Sequence, residues 1–213
     1  MARKTKEDAQ ATREAILDAA EACFREKGLS RTGLEAIAAG AGVTRGAVYW
    51  HFRNKDEVLD AVVNRVSVPF FHGLDRVSRP EGTTPLRDLR ETLRQSLHDL
   101  VHDRRVRTVL EVIELRSEIV GDDDIVGRIR QSGMQSTQSR IEAAFRHAAA
   151  LGQLRDGLDP ASCALRLHFI IGGAVRIHLL APQQVRLERD GMAAIDLALR
   201  AMARDPALLD AAT

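Results

Sequence analysis

Apolar residues along this chain recur at i, i+3, i+4 and i+7 almost throughout, and no segment alternates with the period of a strand, so the pattern predicts an all-α protein. The first stripe, Ala15, Ile16, Ala19, Ala20, Cys23 and Phe24, belongs to a helix α1 over about 6–27, with Gly28 where a C-terminal cap belongs. Leu34, Ile37 and Ala38 mark a short α2, Ala39-Gly40-Ala41-Gly42 break it, and Val43 follows as an apolar plug. Thr44 is suited to cap α3, Arg45–His51, whose Ala47, Val48 and the following Phe52 can turn inward. The loop 29–33 offers hydroxyls to cap α2. Asn54 caps α4, which runs through Val58, Leu59, Val62, Val63 and Val66 toward Phe70, where Pro69 is expected to kink or interrupt it.

Arg79–Pro85 reads as a linker. Beyond it come α5 (about 86–101, with Leu86, Leu89, Leu93, Leu97 and Leu100 on one face) and α6 (about 104–120). Then α7 runs from Asp122–Asp124 to about Leu151, closed by Gly152, α8 from Pro160 to about Leu180, and α9 over about 188–203, with a fraying tail. The reading is a three-helix head, residues 1–54, and a six-helix body, residues 55–213. Helix α8 is apolar nearly all round, through Leu165, Leu167, Phe169, Ile170, Ile171, Ala174, Val175, Ile177, Leu179 and Leu180, so it is expected to be buried on more than one side. Gly172 and Gly173 at its middle each cost about 1 kcal/mol of helix propensity, which close approach of another helix or a ligand would offset. With the Ala-rich α9 it suits a four-helix dimer interface through Ile170, Gly173, Ile177, Ala194, Leu197, Ala198 and Ala201, or a helix pair buried within one body.

The pair α2–α3 carries the functional signal. Two short helices joined by a glycine-containing turn form a helix-turn-helix. Burying Ala47, Val48 and Phe52 leaves Thr44, Arg45, Gly46, Tyr49, Trp50 and His51 outward. Three large rings and an arginine on one exposed side call for a partner, and the major groove of DNA supplies one. Arg45 can reach phosphate or a guanine edge, Gly46 lets the backbone approach, and Tyr49 and His51 can donate to phosphates. Trp50 has two readings, packing on a thymine methyl or groove wall, or packing on α1.

Charge sharpens this picture. The 213 residues have a formal net charge of only +1, yet residues 1–55 hold ten Lys or Arg against seven acids, so the head is mildly basic and the remainder mildly acidic. Arg3, Lys4 and Lys6 are read as an arm able to follow the minor groove, or a solvated tail. The two cysteines, Cys23 and Cys163, lie in apolar stretches and read as reduced core thiols. No signal peptide is recognised, and the longest apolar run, 169–175, is too short to span a bilayer, which gives an expectation of a cytoplasmic protein with no membrane partner. Scattered histidines, no HExxH, no phosphate loop and no nucleophile elbow argue against an enzyme, and no metal or cofactor is expected.

Thr12-Arg13-x-x-Ile16-Leu17-x-Ala19-Ala20 with Phe24 and Gly28, the run AGVTRGAVYWHFRNKDEVL and the all-helical remainder resemble the TetR family of transcriptional repressors. The resemblance is specific over about 12–60. It is weaker through the body, where RIRQSGMQ at 128–135, the Gly152-Gln153-Leu154 turn and Leu180-Ala181-Pro182 look like the AcrR/TtgR branch that controls multidrug efflux pumps. It implies a homodimer, operator DNA as partner, and release when a small hydrophobic or aromatic effector enters a cavity in the body. By resemblance Lys55 is the phosphate-contacting lysine, with Thr32 and Thr44 adding hydroxyls. Candidate cavity residues by position are Val66, Leu93, Leu97, Leu110, Glu114, Met134, Ile141, His168, Ile171, Val175 and Arg176. An inward Glu114 would favour cations; His168 and Arg176 would favour acids and phenols. Two other functions stay open: a TetR-like regulator sensing a narrow metabolite, and a ligand-free DNA-binding protein.

Overall fold

In a computed structural model the described residues are 2–115 and 125–210, with side chains described from residue 6. They form α1 (Ala2–Lys27), α2 (Leu34–Ala41), α3 (Arg45–His51), α4 (Lys55–Val77), α5 (Pro85–His102), α6 (Arg104–Leu115), α7 (Ile125–Ala150), α8 (Pro160–Leu180) and α9 (Met192–Met202). A π-helical turn, Leu187–Gly191, leads into α9, and a 3₁₀ turn, Pro206–Leu209, follows it. Among the described residues there is no strand, only an isolated antiparallel bridge between Leu154 and Ala203. The expected end of α6 at Val120 and the Asp122–Asp124 start of α7 lie outside the described residues.

The chain divides into two compact units. The first, residues 1–67 and 105–129, gathers Ile16, Leu17, Ala20 and Phe24 of α1, Leu34 and Ile37 of α2, Val48 and Phe52, Val58, Leu59 and Val62 of α4, and Val109, Val112 and Ile113 of α6 around one core. Helix α1 and two helices of only 8 and 7 residues cannot enclose so many apolar groups alone, which is why this unit reaches past residue 54 into α4 and α6. The second, residues 68–104 and 130–213, is centred on the fully buried Leu86, Leu89, Leu93 and Leu100 of α5, Ile141 and Phe145 of α7, Leu167 of α8, and Ile195 and Leu199 of α9.

Several local expectations change in the structure. Helix α4 runs unbroken through Pro69, so the proline is accommodated at the cost of the bond it cannot donate to the Arg65 carbonyl. Helix α1 starts at Ala2, so the backbone of Arg3, Lys4 and Lys6 is helical and not an extended arm. The N-cap of α2 is Gly33, which makes no side-chain cap bond. The tail does not simply fray: Asp205 caps the 3₁₀ turn and Leu209 is buried. Nor is α8 buried on several sides within the chain. Its inward residues are Cys163, Ala164, Leu167, His178 and Leu179, while Leu165, Phe169, Ile177 and Leu180 are exposed. Taken whole, its 21 residues are also long and apolar enough to cross a bilayer by length and composition, although the run 169–175 is not.

Candidate DNA-contacting surface and body sites

The helix-turn-helix is set by close contacts to α1. A Cβ on Gly40 would lie 3.3 Å from the Ala19 Cβ, so glycine lets α2 settle on α1. Gly42 has φ +65°, a left-handed angle that ends α2 and redirects the chain, with its amide bonded back to α2. Thr44 then opens α3, its hydroxyl oxygen accepting from the Ala47 amide at 3.1 Å. Val48 and Phe52 point into the core, and the Arg13 guanidinium lies over the Phe52 ring at 5.2 Å.

The other side of α3 faces outward as its pattern predicts, except that His51 at its end is half-buried. Trp50 is 73% exposed and Tyr49 46%. Arg45 bonds the Tyr49 hydroxyl at 3.1 Å, lies over its ring at 5.3 Å and pairs with Glu35 of α2 at 3.0 Å. These groups form a pre-arranged donor and ring surface with one acid at its edge. An added Cβ at Gly46 would meet only the Thr44 hydroxyl, at 3.9 Å, so the fold itself does not demand glycine there. His51 packs edge-on against Trp50 at 4.5 Å, and burial, then the nearby Arg13 charge, hold its pKa below the ordinary imidazole value.

Lys55 sits at the start of α4 with its ammonium donating to the Leu29 carbonyl at 2.9 Å. Beside it Asn54 Oδ1 accepts from the Glu57 amide and Glu57 accepts from the Arg53 amide, so part of that helix start is already capped. Thr32 does not serve as a surface hydroxyl: it is 2% exposed and donates to the Gly28 and Cys23 carbonyls at 2.7 and 3.2 Å. Its hydroxyl locks the α1–α2 turn and is not available to a phosphate.

The eleven cavity candidates are shared between the two compact units. Val66, Leu110 and Glu114 belong to the first unit and the other eight to the second. Leu93, Leu97 and Ile141 are 1%, 2% and 0% exposed, so they are core in this conformation. Met134 and Arg176 are at the surface. His168, Ile171 and Val175 are half-buried, and His168 bonds Gln138 through Nδ1 at 3.2 Å, its pKa lowered by burial. The first unit holds a small cleft of about 10 Å³, lined by Glu21, Phe24, Leu59, Val62, Thr108, Val109 and Val112, none of them a candidate.

On the proposed dimer helices, Ile177 and Leu197 are 54% and 74% exposed, Gly173 and Ala201 are exposed, and Ile170, Ala194 and Ala198 are half-buried. An added Cβ at Gly172 or Gly173 would meet nothing within 4 Å among the described residues, so no packing among them explains this glycine pair. The Arg90 guanidinium grips Asp196 in two bonds of 2.7 and 2.8 Å, fixing α9 on α5.

The structure adds two clusters that the sequence pattern does not announce. In the first unit Arg65 of α4 meets Glu14, Asp18 and Glu21 of α1 at 2.8–2.9 Å, and Arg105 of α6 meets Asp18 and Glu21 at 2.8 and 3.1 Å. Burial raises the Glu21 pKa against the pull of both guanidiniums. In the second, His98 and His102 of α5 converge on Glu188 of the π-turn. The histidines are therefore not all scattered, and His-x-x-x-His in α5 is the signal that could have found this group.

A helix-turn-helix whose second helix is exposed on its ring-bearing side, followed by a larger set of helices, defines a DNA-binding regulator. Residues 16–62 match the bacterial regulatory proteins of the tetR family, and residues 84–204 match the C-terminal region of MAATS-type transcriptional repressors. The chain belongs to the TetR family of transcriptional regulators, which are DNA-binding proteins and not enzymes. It is 37% identical to the HTH-type transcriptional regulator TtgR of Pseudomonas putida over 98% of this chain and 99% of the other. It is 33% identical to AcrR of Shigella flexneri over 100% and 99%. The structure of a SmeT–triclosan complex overlays with a TM-score of 0.89 at 45% identity, covering 95% of this chain and 96% of that one. SmeT is the repressor of the Stenotrophomonas maltophilia multidrug efflux pump SmeDEF.

Proposed function

We propose that this chain is a cytoplasmic, homodimeric repressor that holds operator DNA through its head, residues 1–54, and releases it when a small hydrophobic or aromatic compound binds the body, residues 55–213. The controlled genes encode a multidrug efflux pump. Likeness over nearly the whole chain to SmeT, which is known in complex with triclosan, is the observation that carries this reading. The surface of α3 supports its first half, with Arg45 available to phosphate or a guanine edge, Trp50 to a thymine methyl or the groove wall, and Thr44, Tyr49, His51 and Lys55 to phosphates. Leu165, Phe169, Ile177 and Leu180 of α8 and Leu197 of α9 support the dimer, because a second copy laid on α8 and α9 removes these side chains from water and gives the Gly172–Gly173 pair a neighbour.

Fluorescence anisotropy on DNA from upstream of the gene and its neighbours, titrated with hydrophobic drugs and phenols including triclosan, tests the reading. Tight binding that weakens by about 0.9 log unit per log salt for each neutralised phosphate, and is released by one compound class, is expected. Specific binding that no compound weakens would reject the effector half; binding with no salt dependence would reject the docking mode.

A further inference from the structure

We propose that His98, His102 and Glu188 form a binding site for one divalent transition-metal ion, with Zn²⁺ the best-suited physiological occupant. His98 and His102 stand one helical turn apart at the end of α5, so both rings leave the same face, their centroids 4.3 Å apart. Glu188 comes from the π-turn Leu187–Gly191 and meets both rings at once. His98 Nδ1 is 2.8 Å from one carboxylate oxygen and His102 Nε2 is 3.2 Å from the other. One donor atom from each of the three residues lies within 4.8 Å of the other two. Tetrahedral zinc holds its ligand atoms on bonds of about 2.0–2.1 Å, which sets them roughly 3.3 Å apart. The donors therefore need shifts of about an ångström to admit an ion, and two imidazoles with one carboxylate are a donor set zinc accepts, water completing the fourth position.

The fold fixes this convergence from both sides. Leu187 is 1% exposed and anchors the π-turn in the core. Gly191 closes that turn against α5, where a Cβ would lie 3.2 Å from Leu97 and 3.0 Å from Leu187. A single wide turn is the kind of helical irregularity often found at functional sites, and here it holds the carboxylate over His98 and His102. An ordinary ion pair needs one histidine. Two rings sharing both oxygens of one carboxylate, all three side chains 44–55% exposed, leave the donors open to an ion arriving from solvent. The ion would join the end of α5 to the segment that starts α9.

The test uses tag-free protein stripped with EDTA and titrated with Zn²⁺ against a chromophoric chelator, with Co²⁺ as a spectroscopic substitute. One ion per chain is expected, with visible d–d absorption for the Co²⁺ form and a rise in Tm on adding Zn²⁺. His98→Gln, His102→Gln and Glu188→Gln should each weaken binding by about tenfold or more and abolish the Tm rise. Glu188→Gln keeps the size of the side chain, and a Tm in EDTA equal to that of the unsubstituted protein shows that it folds. Zn²⁺ bound equally well by a triply substituted chain, or no ion bound at micromolar Zn²⁺, would overturn the proposal.

Discussion

Replacing Arg65 with Ala should destabilise the unit that carries the helix-turn-helix by about 2 kcal/mol, an amount that follows from how the cluster on α1 is balanced. The Arg65 side chain is 15% exposed and pairs with three acids, of which Glu21 is 10% exposed, Glu14 38% and Asp18 56%. The two outer pairs lie near the surface and each contribute at most about 1 kcal/mol. The inner pair is another matter, because removing one partner of a buried pair costs about 3–5 kcal/mol when the remaining charge is left alone. Glu21 is not left alone: Arg105 stays at 3.1 Å, which brings the loss below that range, to about 2 kcal/mol. For a chain of this size about 2 kcal/mol lowers Tm by roughly 4–8 °C. Glu21→Gln should behave differently. Burial is the largest influence on this carboxyl and raises its pKa, so removing the charge recovers much of the desolvation cost, and the loss should stay below about 1 kcal/mol. Scanning calorimetry and urea titration followed by circular dichroism measure both, and a double-mutant cycle should show that Arg65→Ala costs less in a chain already carrying Glu21→Gln. Were Arg65→Ala within about 0.5 kcal/mol of the parent, or Glu21→Gln as damaging as Arg65→Ala, this balance would be wrong.

Four further outcomes can be checked. Trp50→Ala should leave Tm nearly unchanged, since the ring is 73% exposed, while operator affinity falls by about 1–3 kcal/mol in anisotropy titrations; equal affinity would remove Trp50 from the contact surface. Leu197→Asp should turn a dimer into a folded monomer in light scattering with unchanged circular dichroism, because the side chain is 74% exposed on the single chain. His168 has its pKa lowered from 6.5 by burial, so the unfolded chain takes up its proton first and stability falls as pH drops below about 6.5; His168→Gln should flatten the fall in Tm over that range. The Cys163 thiol is fully buried with its pKa raised by that burial, and it should react with a disulfide reagent at about pH 8 only as fast as the protein opens, accelerating in urea.

What can be read from the sequence is local. Leu34, Ile37 and Ala38, the left-handed Gly42 and the Thr44 cap sit close together along the chain, and each acts on its neighbours, so the α2–α3 turn and the outward face of α3 follow directly. Thr32 departs from expectation because its hydroxyl answers to carbonyls of the preceding helix end, a geometry that loop composition does not reveal. The ion cluster joins residues 14–21, 65 and 105, and Glu188 reaches His98 across 90 positions; no periodicity links such partners. The cavity candidates rest on helix face alone, and burial separates Leu93, Leu97 and Ile141, which are core, from the half-buried His168, Ile171 and Val175.

Helix α8 shows most clearly what each kind of information can decide. Its apolar circumference is visible in the sequence and implies that several neighbours cover it. Periodicity reports which sides of a helix avoid water, but it cannot say whether the cover comes from the same chain. The structure supplies that missing half. The chain covers Cys163, Ala164, Leu167 and Leu179 and leaves Phe169 68% and Leu180 62% exposed, on a helix with two glycines that have open space where a Cβ would stand. Large side chains are costly to leave in water and glycines are costly to keep in a helix, so a helix that combines them is shaped for close approach. The same two facts held apart, one as an apolar pattern and the other as an empty contact shell, would each be ordinary. Together they make the number of chains in solution the quantity on which the reading of the whole body depends.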